Sequence, residues 1–372
     1  MARRAWESSP PRTPQKRHAD GFEDHAAVHS RPLRCGRKPW RSARLPAEQA
    51  ARQHTDQGAA ITRTRHHLFV ARLLRARGES RSHLRELIGL PAPVLAPGCY
   101  DALSARLVEE AGFPAAYMTG FGSSAGYLGR PDVGLMTMQE MVDIARRIVD
   151  AVGIPVIADA DTGYGNPINV IRTVQAYESA GVAAIHIEDQ VAPKKCGHME
   201  GKRLIRPEEM AAKIRAAVDA RSSPDFLLIA RTDARAVEGL DAAIERARLY
   251  REAGADILFV EAPQSEAEIR AVAAAFPQVP LLFNYAEGGK TPPVEHSLLM
   301  ELGFAIIIFP ISTVLAATKA MRSVLKRIKE DGSPIGVLPD LPSFGDFVDF
   351  IGLPEILELE QQYKAVKMEG DQ

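Results

Sequence analysis

Cysteine is scarce: the chain of 372 residues has three, Cys35, Cys99 and Cys196. They are too few and too scattered for a disulfide framework, so a reduced, cytoplasmic setting is expected. Net charge is nearly absent too, at −1. That balance offers nothing to a nucleic acid or an anionic membrane as partner. No apolar run reaches the roughly 18 to 20 residues that a membrane span needs. No glycine-rich dinucleotide fingerprint or P-loop follows the first strand candidate, which removes the usual ligands of an open, doubly wound sheet.

What is present is an ordinary globular composition, 46% hydrophobic and 25% charged. The length suits one barrel of ~250 residues with extensions as well as two smaller domains. The charge is unevenly spread. Residues 1–82 form a basic segment, with Arg34, Arg37, Lys38 and Arg41 close together and little to bury. Such a segment is expected to be disordered, because it cannot offset its ordering entropy. It lacks the apolar core of a secretory signal. Glu7, Asp20, Glu23 and Asp24 argue against a transit peptide, and an upstream misassigned start is the other reading. The folded domain is expected over residues 83–372.

From residue 91 the pattern is regular. Short apolar, β-branched runs at 94–98, 115–120, 155–160, 184–188, 226–230, 257–261, 280–284 and 305–309 alternate with longer amphipathic stretches. Runs that are apolar throughout suit parallel strands covered on both faces. Helices are expected at 102–111, 137–149, 169–180, 207–220, 240–253 and 265–275, then at 313–329 and 353–363. Several end in Ala-Gly, where glycine can take a left-handed cap. About eight such alternations read as an α/β chain folded into a (β/α)8 TIM barrel with a C-terminal helical extension.

In that fold reactive groups stand at the carboxyl ends of the strands. The third run ends in Asp159-Ala160-Asp161, the fourth in Glu188-Asp189, the fifth in Arg231-Thr232-Asp233, the sixth in Glu261 and the seventh in Asn284. So many acids at one mouth require a cation or protons to neutralise them. Hard oxygen ligands without a histidine cluster favour Mg2+, or Mn2+, over zinc. Two residues apart on a regular strand, Asp159 and Asp161 would share a face as a metal pair; the plain alternative is a pair of turn acids. Asp132, after Arg130-Pro131, is a weaker ligand candidate and equally a turn residue. Arg231 is a natural clamp for a substrate carboxylate, or else an internal partner of Glu188 or Glu261. Gly120 and Gly122 let the backbone approach a ligand.

The loop Lys194-Lys195-Cys196-Gly197-His198-Met199-Glu200-Gly201-Lys202 is polar and glycine-rich. Such a loop can move, and its cations can meet an anion. A thiol beside Lys195 and His198 is expected to have a lowered pKa and to exchange protons. Cys99 has no such neighbours and is expected to pack in the core.

These stretches, with Tyr100-Asp101-Ala102-Leu103-Ser104-Ala105, Thr162-Gly163-Tyr164-Gly165 and His186-Ile187-Glu188-Asp189-Gln190, resemble the isocitrate lyase/phosphoenolpyruvate mutase superfamily over about residues 85–365. Lys194-Lys195-Cys196-Gly197-His198 resembles its lyase branch. The phosphonomutases carry an asparagine-containing loop without the cysteine. Glu261-Ala262-Pro263 and Glu287-Gly288-Gly289-Lys290-Thr291-Pro292 look like the 2,3-dimethylmalate lyase and petal death protein group, with methylisocitrate lyases close behind. Tyr285-Ala286-Glu287 and Phe121 depart from the methylisocitrate lyase pattern and from many members respectively, and both positions bear on substrate identity.

The resemblance implies a Mg2+-dependent retro-aldol cleavage of a small 2-hydroxy di- or tricarboxylate. It implies Asp159 as direct ligand, with Asp161, Asp132 and Glu188 holding the metal's waters. Cys196 would be the general acid, tuned by His198, Lys195 and Glu261. Thr119, Gly120, Phe121, Gly197, Arg231 and Asn284 would bind the substrate. It also implies a homotetramer that exchanges a C-terminal helix between subunits. The competing readings are an oxaloacetate hydrolase or decarboxylase in the same site, a phosphonomutase, and an inactive scaffold.

Overall fold

In this computed structural model the described residues are 79–367. The expected disordered segment lies outside them except for its last four residues, which open the helix Glu79–Ile88. Eight strands follow: β1 Val94–Cys99, β2 Ala116–Met118, β3 Val156–Asp159, β4 Ala184–Glu188, β5 Leu227–Thr232, β6 Ile257–Val260, β7 Leu282–Asn284 and β8 Ile306–Phe309. All neighbours pair in parallel, in the order β6-β5-β4-β3-β2-β1-β8-β7. The two edges meet where Leu258 bridges Leu281, with the Leu258 N–H donating to the Pro280 carbonyl at 3.1 Å. The expected (β/α)8 barrel is the fold.

Alternation along the strands divides the apolar residues into two layers. Val94, Ala96, Tyr117, Ile157, Leu227, Ile229, Phe259 and Ile306 fill the barrel interior. Met118, Val156, Ala158, Ile185, Leu228 and Leu258 face outward onto the helices. Every residue of β2 to β6 is buried, which is why these runs carry no polar alternation. The helix Glu79–Ile88 covers the amino-terminal end of the barrel. Its Leu84 enters the interior cluster, and Arg81 and Arg85 reach the Val182 and Pro224 carbonyls ahead of β4 and β5. The opposite end is left open for chemistry.

Two strands differ from expectation by two residues at their carboxyl ends. β2 stops at Met118 because Thr119 caps a helical turn, Gly120–Ser123, accepting the Gly122 N–H on Oγ1 at 3.2 Å. β5 runs on to Thr232, so Arg231 is a strand residue rather than the first loop residue. The helix ends follow the sequence. At Ala180-Gly181 the glycine takes φ 94° and returns its N–H to the Glu178 carbonyl. After β8, the helix Ser312–Asp331 has no buried residue and exposes Leu315, Met321 and Leu325.

Candidate active site

Asp159 closes β3 and is buried. The Tyr177 hydroxyl donates to its carbonyl at 3.0 Å, and its Oδ1 accepts the Asp161 N–H at 2.9 Å. Its Oδ2 lies where a Cβ on Gly120 would stand, at 2.3 Å. Only a glycine lets the β2 turn come so close. Asp161 is not a second strand residue on the same face, as the spacing suggested. Its φ of 47° turns the chain away, and its Oδ1 lies 2.8 Å from Lys194 Nζ. The same ammonium meets Asp132 at 2.7 Å. One buried cation thus sits between two of the acids.

Burial pushes Asp161 up to about 6; Lys194 opposes this, while Asp159 and Asp132 reinforce it. Burial also disfavours the charge on Asp159, but nearby positive groups outweigh it and hold Asp159 below the usual carboxylate range. His186 is pushed down to about 4, first by burial, so it is neutral and Lys194 and Arg231 carry that effect. Glu188, at the end of β4, is driven well above its ordinary value by burial, against the pull of Arg231. Its Oε1 accepts from Gln190 at 2.9 Å, and its buried Oε2 has no hydrogen bond.

Arg231 is already engaged. Its Nε and Nη2 donate to the two oxygens of Asp233 at 3.0 and 3.1 Å. Nε lies 3.3 Å from Glu188, Nη1 lies 3.8 Å from Glu261, and the guanidinium sits over the Phe259 ring. The bidentate edge expected for a substrate is therefore held by Asp233. Behind it Asp189 accepts from Thr232, Tyr250 and the Asp233 N–H, which fixes the strand end.

The loop thiol is not activated in the expected way. Burial pushes Cys196 up to about 11, against a lowering contribution from the His198 backbone N–H. The Lys195 ammonium, expected to lower it, instead donates to the Glu200 carbonyl at 3.2 Å. The Cys196 thiol is therefore protonated at neutral pH, the state of an acid rather than a nucleophile. His198 accepts the Lys290 N–H on Nδ1 at 3.0 Å, so its own proton is on Nε2, 3.1 Å from Glu261 Oε1. Asn284 donates to both Glu261 oxygens at 3.2 Å. Burial raises Glu261, but Arg231 and His198 outweigh it and hold the carboxyl well below its usual range.

A cavity of about 200 Å³ joins these groups, with Asp159, Asp132, Cys196, Arg231, Glu261 and Phe121 in its wall. Thr119, Gly197, His198 and Asn284 also line it; Asp161, Glu188 and Lys195 stand outside the lining. Gly120 and Phe121 open the helical turn, where backbone N–H groups have no acceptor within the helix. Gly197 passes where no side chain fits: a Cβ there would lie 2.5 Å from Glu261 and 2.6 Å from Arg231. Gly197→Ala should therefore lift the loop. A fall of tenfold or more in kcat/KM with an unchanged melting temperature is expected; wild-type kinetics would show that the loop seat is unimportant.

Sequence reasoning did not single out Lys194, Asp233 or Asp189. The Lys194-Lys195 step holds both an inward and an outward lysine, and only the fold tells them apart. As to a metal, no group of three or more His, Cys, Asp or Glu side chains forms a ligand set among the described residues. The donors present are hard carboxylates, with Asp159 and Asp132 in the cavity wall and the Lys194 ammonium between Asp132 and Asp161. A place that already requires positive charge and offers few direct ligands fits Mg2+, which keeps several waters.

Fold and site together define a (β/α)8-barrel enzyme whose acids and thiol meet over a small carboxylate-sized cavity. The Phosphoenolpyruvate phosphomutase family matches residues 84–329. A 2,3-dimethylmalate lyase of Eubacterium barkeri is 50% identical over 280 residues, 75% of this chain and 96% of its own. A 2-methylisocitrate lyase of Aeropyrum pernix is 50% identical over 269 residues, covering 72% and 86%. A crystal structure of 2,3-dimethylmalate lyase superposes with a TM-score of 0.73 at 41% identity, covering 77% of this chain and 95% of that one. The chain belongs to the phosphoenolpyruvate mutase/isocitrate lyase superfamily.

Proposed function

We propose that the protein is a Mg2+-dependent carbon–carbon lyase. It cleaves a small 2-hydroxy di- or tricarboxylate, of the 2,3-dimethylmalate or 2-methylisocitrate type, into a 2-oxo acid such as pyruvate and a carboxylic acid. The observation that carries this reading is a protonated thiol, Cys196, in the wall of the same cavity as Asp159. A phosphoryl-shifting enzyme has no use for a proton donor there; a retro-aldol reaction must protonate a carbanion.

Mg2+, or Mn2+, would be held by Asp159, with Asp161, Asp132 and Glu188 on its waters, and would supply Lewis acidity to the substrate's 2-hydroxyl and neutralising charge to its carboxylate. The chain's residues do the rest. Arg231 and the backbone N–H groups of Gly120 and Phe121 orient the part that becomes the 2-oxo acid. The 2-hydroxyl gives up its proton to a carboxylate of the cavity and becomes the carbonyl; as the bond between C2 and C3 breaks, its electron pair goes to the C3 fragment. Cys196 donates its proton to that carbon. His198, fixed between Lys290 and Glu261, places the loop and with it the thiol. Lys195 serves through the loop backbone: its N–H donates to Gln190 and its carbonyl accepts from the same side chain, at 3.0 and 2.7 Å. The seated loop keeps water from the carbanion.

The test is to incubate the Mg2+-loaded protein with 2,3-dimethylmalate, 2-methylisocitrate, 2-ethylmalate, isocitrate and oxaloacetate and to identify the products. Pyruvate from a 2-methyl substrate is expected. Oxalate and acetate from oxaloacetate, with no cleavage of the others, would replace the lyase reading by the hydrolase one.

We also propose a cytoplasmic homotetramer with exchanged C-terminal helices. The exposed Leu315, Met321 and Leu325 on Ser312–Asp331 support the assembly. A monomer in analytical ultracentrifugation would remove it. Among the described residues no helix is long and apolar enough to cross a membrane; fractionation of cells tests the compartment.

A further inference from the structure

Resting on the lyase reading above, we propose that Lys202 is a positioning residue for the reaction. Its buried ammonium ties the loop that carries Cys196 to the strand end that carries Arg231, so that thiol and guanidinium come into place together. The Lys202 side chain is 1% exposed. Its Nζ lies 3.2 Å from Asp233 Oδ1 and donates to the Gly197 carbonyl. The same Oδ1 accepts from Arg231 Nη2 at 3.1 Å. One carboxylate oxygen therefore holds a cation of the loop and the cation of the cavity wall.

The loop is pinned at its base. Gln190 bridges Leu204, the Val191 N–H donates to the Arg203 carbonyl at 2.8 Å, and the Ile205 N–H donates to the Asp189 carbonyl at 2.9 Å. Lys202 leaves this base and spans the loop to Gly197, the residue next to Cys196. Gly197 is buried against Glu261 and Arg231. A buried carbonyl must find a donor, and a buried ammonium must find an anion. The seated loop meets both needs with one side chain. With the loop lifted, Lys202 would return to water and leave Asp233 to Arg231 alone.

The tie bears on Arg231 as well. Asp233 takes its Nε and Nη2, and the Asp233 backbone is fixed by its N–H on Asp189 at 2.9 Å. A guanidinium so paired has little charge left to offer. Lys202 shares the Asp233 carboxylate, and so leaves positive charge at the cavity wall for an anionic ligand. The neighbouring lysines do not reach this corner: Lys194 goes to Asp132 and Asp161, Lys195 to the Glu200 carbonyl, and Lys290 to the Glu200 side chain.

Lys202→Met tests the tie, because it keeps the length and removes the charge. Asp233 remains paired with Arg231, so no buried charge is orphaned and the melting temperature should hold. On the substrate that the Mg2+-loaded wild type cleaves best, kcat should fall and KM should rise, each by about tenfold or more. Lys202→Arg, which keeps the charge, should recover part of both. A second readout needs no turnover: alkylation of Cys196 by iodoacetamide, located by peptide mapping, should be about tenfold faster in Lys202→Met as the loop lifts. Loss of a nearby positive charge by itself disfavours the thiolate, so a faster reaction reports exposure. Unchanged alkylation overturns the proposal, whatever the kinetics do. Faster alkylation with wild-type kinetics also overturns it, because the tie would then not serve the reaction. Should Lys202→Met fail to fold, Lys202→Gln, which can still donate to the Gly197 carbonyl but brings no charge to Asp233, is read by the same two measurements. Absence of pyruvate from every substrate would count against the lyase reading alone, since alkylation still decides whether Lys202 seats the loop.

Discussion

Asp159→Ala is expected to lose carbon–carbon cleavage by about a thousandfold or more, with no recovery at any practical Mg2+ concentration, because a Lewis-acid metal supplies several kcal/mol of charge stabilisation. The reason for singling out Asp159 is its position. It is the β3 carboxylate in the cavity wall, held in the charged state by Lys194 and Arg231. Asp161 stands behind the wall on the Lys194 ammonium. Asp161→Ala should therefore weaken metal affinity by about 10- to 100-fold, as loss of an outer-shell partner does, and added Mg2+ should restore part of the rate. EDTA should abolish turnover of the wild type, and Mg2+ or Mn2+ should restore it. Kinetics across a metal titration, with metal binding read separately by calorimetry, distinguishes the two variants. An Asp159→Ala protein with wild-type turnover would end the assignment of a metal to these acids.

The contrast between Asp159 and Asp161 shows where sequence reasoning stops. The eight strands were legible because parallel strands buried on both faces are apolar without interruption, and β4 spans the predicted residues 184–188. Strand-end acids were legible for the same reason: a charged residue directly after such a run has one place to go. Local backbone conformation was not. A shared face for Asp159 and Asp161 requires β3 to continue to Asp161, whereas the strand ends at Asp159 and Asp161 takes a positive φ. The partners of long side chains were equally hidden. Arg231 could be seen as a clamp, but not that Asp233 holds its two-pronged edge. Lys195 could be seen beside Cys196, but not that its ammonium turns to Glu200. Both are contacts between flexible groups whose geometry is fixed by the whole loop.

Cys196→Ser should fold as the wild type does, bind substrate with similar affinity, and lose roughly 10²- to 10⁴-fold in the rate of carbon–carbon cleavage, the usual contribution of a general acid. The corrected electrostatics strengthen this expectation. A thiol pushed up to about 11 is protonated throughout the neutral range, so no activation step precedes donation. A serine hydroxyl is of similar size but far less acidic, and it should not deliver a proton to the nascent carbanion at a useful rate. Loss of the acid should also appear as a fall in kcat with little change in KM, because the thiol acts only after the bond begins to break. Metal-promoted decarboxylation of oxaloacetate needs no proton donor at that moment. It should survive the substitution better than cleavage of a 2-methyl substrate. Measuring both reactions on one Cys196→Ser preparation therefore separates a general acid from a residue that merely seats the loop. A seat would depress both reactions together and raise KM, whereas an acid depresses only the one that ends in a carbanion. If the serine variant cleaves its substrate at the wild-type rate, the proton comes from elsewhere in the cavity, and His198, which carries its proton on Nε2 against Glu261, is the next group to replace.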